Sequence, residues 1–126
     1  MIHDKKRLDD LKSYKILDTS PEEQLDQITE LASLICDTPI SLITLLDDKR
    51  QWFKSNKGLS KPQTNVTHSF CQYALGNPQE VLVVNDSWQD SRFKNSELVV
   101  NDPKIRFYAG APLATSNGNV LGTLCI

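Results

Sequence analysis

Seven consecutive residues, Ile40-Ser-Leu-Ile-Thr-Leu-Leu46, constrain this chain more than any others. Side chains of a strand alternate between its two faces, and here apolar residues fall at both parities, so the strand needs cover on both sides. The run is rich in β-branched residues and too short for a helix, which predicts a central strand in its sheet. Asp47-Asp48-Lys49 then reads as a tight turn and Arg50 to Ser55 as the returning antiparallel strand. The apolar stretch from Pro39 to Leu46 is the longest in the chain, is interrupted by Ser41 and Thr44, and falls far short of the roughly 20 residues of a membrane span.

The material that covers this strand comes from both sides of it in sequence. Asp4 to Leu17 is charged but carries Leu8, Leu11, Tyr14 and Ile16 at roughly helical spacing, with Asp4 as a cap, which predicts a helical arm over residues 1–19. Ser20-Pro21-Glu22-Glu23 has the form of a capping box. After it Leu25, Ile28, Leu31, Ala32, Leu34 and Ile35 form a broad apolar stripe, predicting a helix from Pro21 to Cys36, with Cys36 a small buried hydrophobe.

Downstream, Asn56 to Val66 reads as a polar loop, Ser69 to Leu75 as a short helix capped by Thr67 or Ser69, and Glu80 to Val84 as a strand. Asn85 to Asp102 is irregular but holds Trp88, Phe93, Leu98 and Val99, so it packs down. Lys104 to Leu113 and Val120 to Ile126 read as strands about an Asn117-Gly118 hairpin turn. Short connections between neighbouring strands give an α+β fold, a mainly antiparallel sheet of about five or six strands with helices on one face. The second face must be covered too, and the long connections are the material available.

Composition narrows the function. Of 126 residues, 39% are hydrophobic, and 14 basic residues against 16 acidic ones leave a net charge of −2. That excludes a disordered chain and argues against a nucleic-acid binder, which carries a clustered basic excess. Three cysteines and no apolar leader point to a reducing, cytoplasmic home. His3, Cys36, His68, Cys71 and Cys125 lack ligand spacing, so no metal site is expected, and no Gly-rich phosphate loop occurs.

Six ordered blocks carry a resemblance: Tyr14-Lys-Ile-Leu-Asp-Thr-Ser-Pro-Glu-Glu23, Arg50-Gln-Trp-Phe-Lys-Ser55, His68-Ser-Phe-Cys71, Asp90-Ser-Arg-Phe93, Ile105-Arg-Phe-Tyr-Ala-Gly-Ala-Pro-Leu113 and Leu121-Gly-Thr-Leu-Cys125. Over residues 20–126 the chain resembles the GAF domains found N-terminally in bacterial sensor histidine kinases and cyclic-dinucleotide signalling enzymes. The resemblance implies terminal helices on one face of the sheet, with the small helix and long loops roofing a small-molecule pocket on the other. It implies a non-catalytic sensory or regulatory module, without cofactor, that relays its state through the terminal helices to a kinase or cyclase output domain. Domains of this kind continue into a further strand or turn and a long C-terminal helix that this sequence, ending at Ile126, lacks. Either a fragment or a solitary domain is then expected, with apolar surface beside the Pro21–Cys36 helix that a second copy could cover.

The residues expected to line the pocket are Trp52, Phe70, Cys71, Asp86, Arg92, Arg106 and Tyr108. Trp52 and Phe53 point to opposite faces of their strand, so one is core and the other faces the pocket. Arg92, with Arg106, could grip an anion; alternatively Asp90 and Arg92 brace the loop while Phe93 plugs it into the core. Tyr108 shares a strand face with Arg106. Cys71, in the first turn of the short helix and three residues after His68, could be activated by amide dipoles or by that histidine. Two further readings stay open: a ligand-free dimerisation or protein-interaction module, and a thiol-dependent reductase of the free methionine sulfoxide type. The latter's cysteine loop is not recognisable here. Nor does the chain carry the Cys-His dipeptide of bilin-binding GAF domains or the Asn-Lys-Phe-Asp-Glu signature of cyclic-nucleotide-binding ones.

Overall fold

The computed structural model describes residues 1–126. Six strands form one antiparallel sheet: β1 (Ser41–Leu46), β2 (Arg50–Lys57), β3 (Gln63–Asn65), β4 (Leu82–Val84), β5 (Tyr108–Ala114) and β6 (Val120–Cys125). Their spatial order is β3-β2-β1-β6-β5-β4. β1 is interior and buried at all six positions, as its two-faced apolar pattern demands. The fold is α+β, with the short β3 inside what the sequence reads as loop.

Two helices, α1 (Lys5–Ser13) and α2 (Glu23–Cys36), lie on one face of the sheet. Beneath them a small cluster of Leu11, Leu45, Trp52 and Leu121 is buried. The other face carries the main core, fourteen buried residues that include Leu42, Leu46, Phe53, Phe70, Phe93, Val99, Tyr108 and Val120. Its roof is made from two 3₁₀ turns (Val66–His68 and Cys71–Ala74), a third at Ser87–Gln89, and the one-turn α3 (Glu97–Val100). The single α-helix expected over Ser69 to Leu75 is thus replaced by tight turns, with Gln72 Nε2 donating back to the carbonyls of Val66, Thr67 and Ser69.

α2 departs from expectation at both ends and on its surface. The helix starts at Glu23, and no side chain caps it, so the capping box does not form. The physical reason is Lys54. The register of β1 on β2 pairs Ile43 with Ser55 and Thr44 with Phe53, which leaves Lys54 as an extra residue. Its buried ammonium donates to Thr19 Oγ1 and the Ser20 carbonyl and pairs with Glu22 at 2.8 Å, holding residues 19–22 out of the helix. The docked face of α2 is polar: Thr29 Oγ1 meets Ser55 Oγ at 2.8 Å, and Ser55 donates to Asp26. The apolar stripe is consequently turned outward, with Ile28, Leu31, Leu34 and Ile35 exposed by 44–73%. Cys36 is exposed as well, contrary to its reading as a buried hydrophobe. Asp37 ends the helix in the left-handed conformation.

The N-terminal arm is fastened by a buried charge. Asp4 caps α1 by accepting from the Lys6 amide, and Leu11 is buried, as read from the sequence. Arg7 is 3% exposed and donates to the carbonyls of Leu46 at 2.7 Å and Val120 at 3.3 Å, the end of β1 and the start of β6. Its second nitrogen reaches the Ile2 carbonyl at 3.1 Å. Arg7→Ala removes these bonds and leaves buried carbonyls unpaired, so chemical denaturation should report a loss of about 2–4 kcal/mol. Arg7→Lys should recover part of it, because one ammonium reaches fewer of the acceptors.

Candidate functional site

Between the sheet and its roof lies a cavity of about 290 Å³. Leu42, Phe53, Tyr108 and Cys125 contribute from the sheet, Phe70, Cys71 and Leu98 from the roof, and Ile105 from the segment entering β5. The walls are mainly apolar. Gln51, Lys104 and Arg106 supply the polar margin, and no acidic side chain lines the space.

The roof is held down by stacked aromatic rings. Phe70 and Phe93 lie parallel with centroids 4.2 Å apart, and Tyr73 meets Phe93 edge-on at 5.2 Å. Phe70 also contacts the Tyr108 ring at 5.2 Å, joining roof to sheet. Ser96 caps α3 through the Leu98 amide and donates to the His68 carbonyl, tying α3 to the first 3₁₀ turn.

At the floor, Cys71 Sγ is surrounded by three hydroxyls: Tyr108 and Thr123 at 3.1 Å and Thr44 at 3.4 Å. Burial pushes the Cys71 thiol up, but the hydrogen bonds from Cys125, Thr123, Thr44 and Tyr108 outweigh it and bring the pKa down to about 7. Cys125 moves the other way, because its bond to Cys71 and its burial both favour the protonated thiol. Tyr108 is raised by burial and by the two thiols beside it. The activation of Cys71 therefore comes from side-chain donors and not from helix dipoles. His68 plays no part in it: that side chain is partly exposed, and its nearest charge is Glu97 at 3.9 Å.

Of the seven residues expected in the pocket, Phe70, Cys71, Arg106 and Tyr108 line it, and three lie elsewhere. Trp52 is on the helix side of the sheet with Leu11, Leu45 and Leu121. Its neighbour Phe53 takes the pocket side, so the parity was legible but the choice of face was not. Asp86 accepts from the Trp88 amide and caps the Ser87–Gln89 turn. Arg92 pairs with Asp90 at 2.8 Å and stacks on Phe93 at 4.9 Å, while Phe93 is buried; this is the bracing arrangement. Arg106 does line the cavity mouth, but its guanidinium is engaged by the Val99, Lys104 and Ile105 carbonyls and packs over Trp88. Sequence reasoning missed Phe53, Leu98, Ile105 and Cys125. Strand alternation signals Cys125, two residues from Thr123 on the same face of β6.

A family model for the GAF domain matches residues 20–126. The chain belongs to the GAF domain family. It is 43% identical over 111 residues to a cyclic di-GMP phosphodiesterase of Pseudomonas aeruginosa, an alignment that covers 88% of this chain and 19% of that enzyme. The chain thus spans about a fifth of the length of its curated relative. Among solved structures, a type II free methionine-R-sulfoxide reductase from Thermoplasma acidophilum superposes with TM-score 0.64 at 12% identity, covering 92% of this chain and 75% of that one. The GAF domain of a phosphoenolpyruvate-protein phosphotransferase from Coxiella burnetii gives 0.63 at 16% identity, covering 96% and 74%. At those identities the likeness is one of fold. No helix here is long and apolar enough to cross a membrane, and no cluster of His, Cys, Asp or Glu is placed to hold a metal ion.

The hydroxyl donors make a direct prediction. Tyr108→Phe removes one donor to the Cys71 thiolate, so the midpoint of the pH dependence of Cys71 alkylation should rise above its value of about 7. The titratable groups facing Cys71 are Cys125 and Tyr108 alone, with Lys104 and Arg106 at the margin. Peptide-resolved alkylation rates between pH 5 and pH 9 (roughly the range that brackets a thiol) read the shift.

Proposed function

We propose that this domain is a non-catalytic sensor that binds a small, mainly apolar molecule between its sheet and roof and relays occupancy to an output domain. The observation that carries the reading is the cavity of about 290 Å³ with apolar walls and a polar margin of Gln51, Lys104 and Arg106. Its size stands at the lower end of small-molecule sites, roughly 300–1,000 Å³. The similarity to a cyclic di-GMP phosphodiesterase supports a place in signalling, with a phosphodiesterase, cyclase or kinase as the output. Binding would act by population shift: a ligand that fits the roofed state better than a loosened one favours the former, and the terminal segments packed on the opposite face report it.

Indole is a suitable first probe, being aromatic and uncharged. At about 100 times its dissociation constant it should stabilise the fold by about 2.7 kcal/mol. Leu98→Trp, which fills the cavity from the roof, should abolish that response. Absence of stabilisation by indole and by a panel of small apolar molecules, together with no retained mass in native spectra of the fresh protein, would overturn the reading.

A second reading, self-association, is favoured by the outward stripe of α2. Ile28, Leu31, Leu34 and Ile35 are exposed on one helix and are spaced nearly symmetrically about Leu31. A second copy lying antiparallel across a two-fold axis at Leu31 would set Ile28 against the partner's Leu34 and Ile35. Sedimentation at tens of micromolar should then show a dimer that Leu31→Glu dissolves without unfolding the chain. A monomer under those conditions would rule this out.

A further inference from the structure

Both charged side chains that line the cavity are cations, and neither is neutralised within the protein. Arg50 is paired with Asp18 and Asp47, and Arg92 with Asp90, whereas Lys104 and Arg106 have no carboxylate within 4.0 Å. The acids nearest to them in sequence, Glu97 and Asp102, line a separate polar cleft with His68. On a chain of net charge −2, the mouth of the cavity is therefore locally positive. We propose that the occupant of the cavity is a monocarboxylate, its apolar body seated among Leu42, Phe53 and Leu98 and its carboxylate held at the mouth by Lys104 and Arg106. This deepens the binding reading and rests on it.

The two cations are presented in different ways. Arg106 is fixed before anything binds: Nη1 donates to the carbonyls of Val99, Lys104 and Ile105, and the guanidinium packs over the Trp88 ring at 4.8 Å. Those bonds use one nitrogen. Nε and Nη2 donate to no group in the protein, and their side-by-side N–H bonds form the fork that fits the two oxygens of a carboxylate. Lys104 has a φ of 57°, a conformation that favours glycine, so a lysine there is costlier for the backbone than a residue without a side chain. Its amide donates to the Asn101 carbonyl at 2.7 Å, which fixes the point from which the ammonium reaches. Farther in, Gln51 is 4% exposed and spends one amide hydrogen on Thr64 Oγ1 at 3.0 Å, which leaves the other for a polar atom of the occupant.

The same lining disfavours other classes of molecule. An organic cation meets two like charges and no carboxylate. A multiply charged phosphate ester brings more polar surface than two cations and mainly apolar walls around about 290 Å³ can accommodate. A neutral apolar molecule fits the walls but leaves the donors of Lys104 and Arg106 to solvent. Both cations are exposed, so water and salt screen them and the gain from the carboxylate is modest.

The test compares indole-3-acetate, indole-3-ethanol and tryptamine, which share a ring and differ in the head group, by calorimetric titration of the folded chain at neutral pH. The acid should bind on the order of tenfold more tightly than the alcohol, and the amine more weakly than either. Raising the sodium chloride concentration should shrink the advantage of the acid. Lys104→Gln should reduce that advantage severalfold, and Lys104→Glu should place the acid below the alcohol. Both substitutions alter an exposed side chain, and the comparison within the parent protein stands without them. Leu98→Trp should abolish binding of acid and alcohol alike, which separates the cavity from a surface cation. Alcohol binding as tight as that of the acid, or a preference for the acid that survives in Lys104→Glu or Leu98→Trp, would overturn the carboxylate assignment and leave the binding reading to its own test. Binding by none of the three compounds would overturn both.

Discussion

The rest of the structure depends on the enclosure of β1. It hydrogen-bonds to β2 and β6 along its edges, takes α2 on one face and the roofed core on the other. The approach of β6 is close: a Cβ on Gly122 would collide with the Thr44 carbonyl, so that position of β6 tolerates only glycine. At the same level Thr44 and Thr123 bury their hydroxyls against each other, 3.1 Å apart. Two polar groups in the middle of a sheet are costly unless bonded, and here one hydroxyl donates to the other, which leaves one hydrogen of the pair for Cys71. The strand contact that builds the sheet thereby also sets the chemistry of the cavity floor.

The two faces of the sheet are stabilised by different physics. On the cavity side, aromatic stacking and aliphatic burial dominate, with Phe93 as the plug and the Asp90–Arg92 pair outside it. On the helix side, α2 is oriented by hydrogen bonds and by the buried Lys54 ammonium. Polar docking specifies the rotation of a helix about its axis more narrowly than apolar packing does, since each bond has one partner at one distance. That rotation is what presents the apolar side of α2 to the surroundings.

What the sequence showed and what it hid divides along the same line. Two-faced apolarity in Ile40–Leu46 foretold an interior strand, and the Asn117-Gly118 pair foretold its turn, where Gly118 takes a positive φ of 82°. These signals are local. The displacement of the α2 start was not legible, because Ser20 and Glu23 satisfy every local rule for a cap and are overruled by Lys54, more than thirty residues away. The outward turn of the stripe was hidden for the same reason, and Cys36 went with it. At the site, alternation placed Tyr108 and separated Trp52 from Phe53, but choosing the cavity side of β2 needs the location of the roof. Arg92 and Asp86 looked like ligand-gripping groups because a charged loop residue has the same appearance whether it binds a solute or its own backbone.

Arg7 gives the N-terminal segment a mechanical role. Its guanidinium bridges the last carbonyl of β1 and the first of β6, two strands that are neighbours in the sheet but lie more than seventy residues apart along the chain. Tension applied at the N-terminus is therefore delivered by Arg7 to the seam between the two central strands, while Asp10 of the same helix, accepting from Thr115 and Asn119, carries part of it to the turn between β5 and β6. The arm works as a rivet, and a displacement of α1 by a neighbouring body would be felt at the end of the sheet farthest from the Cys71–Cys125 floor.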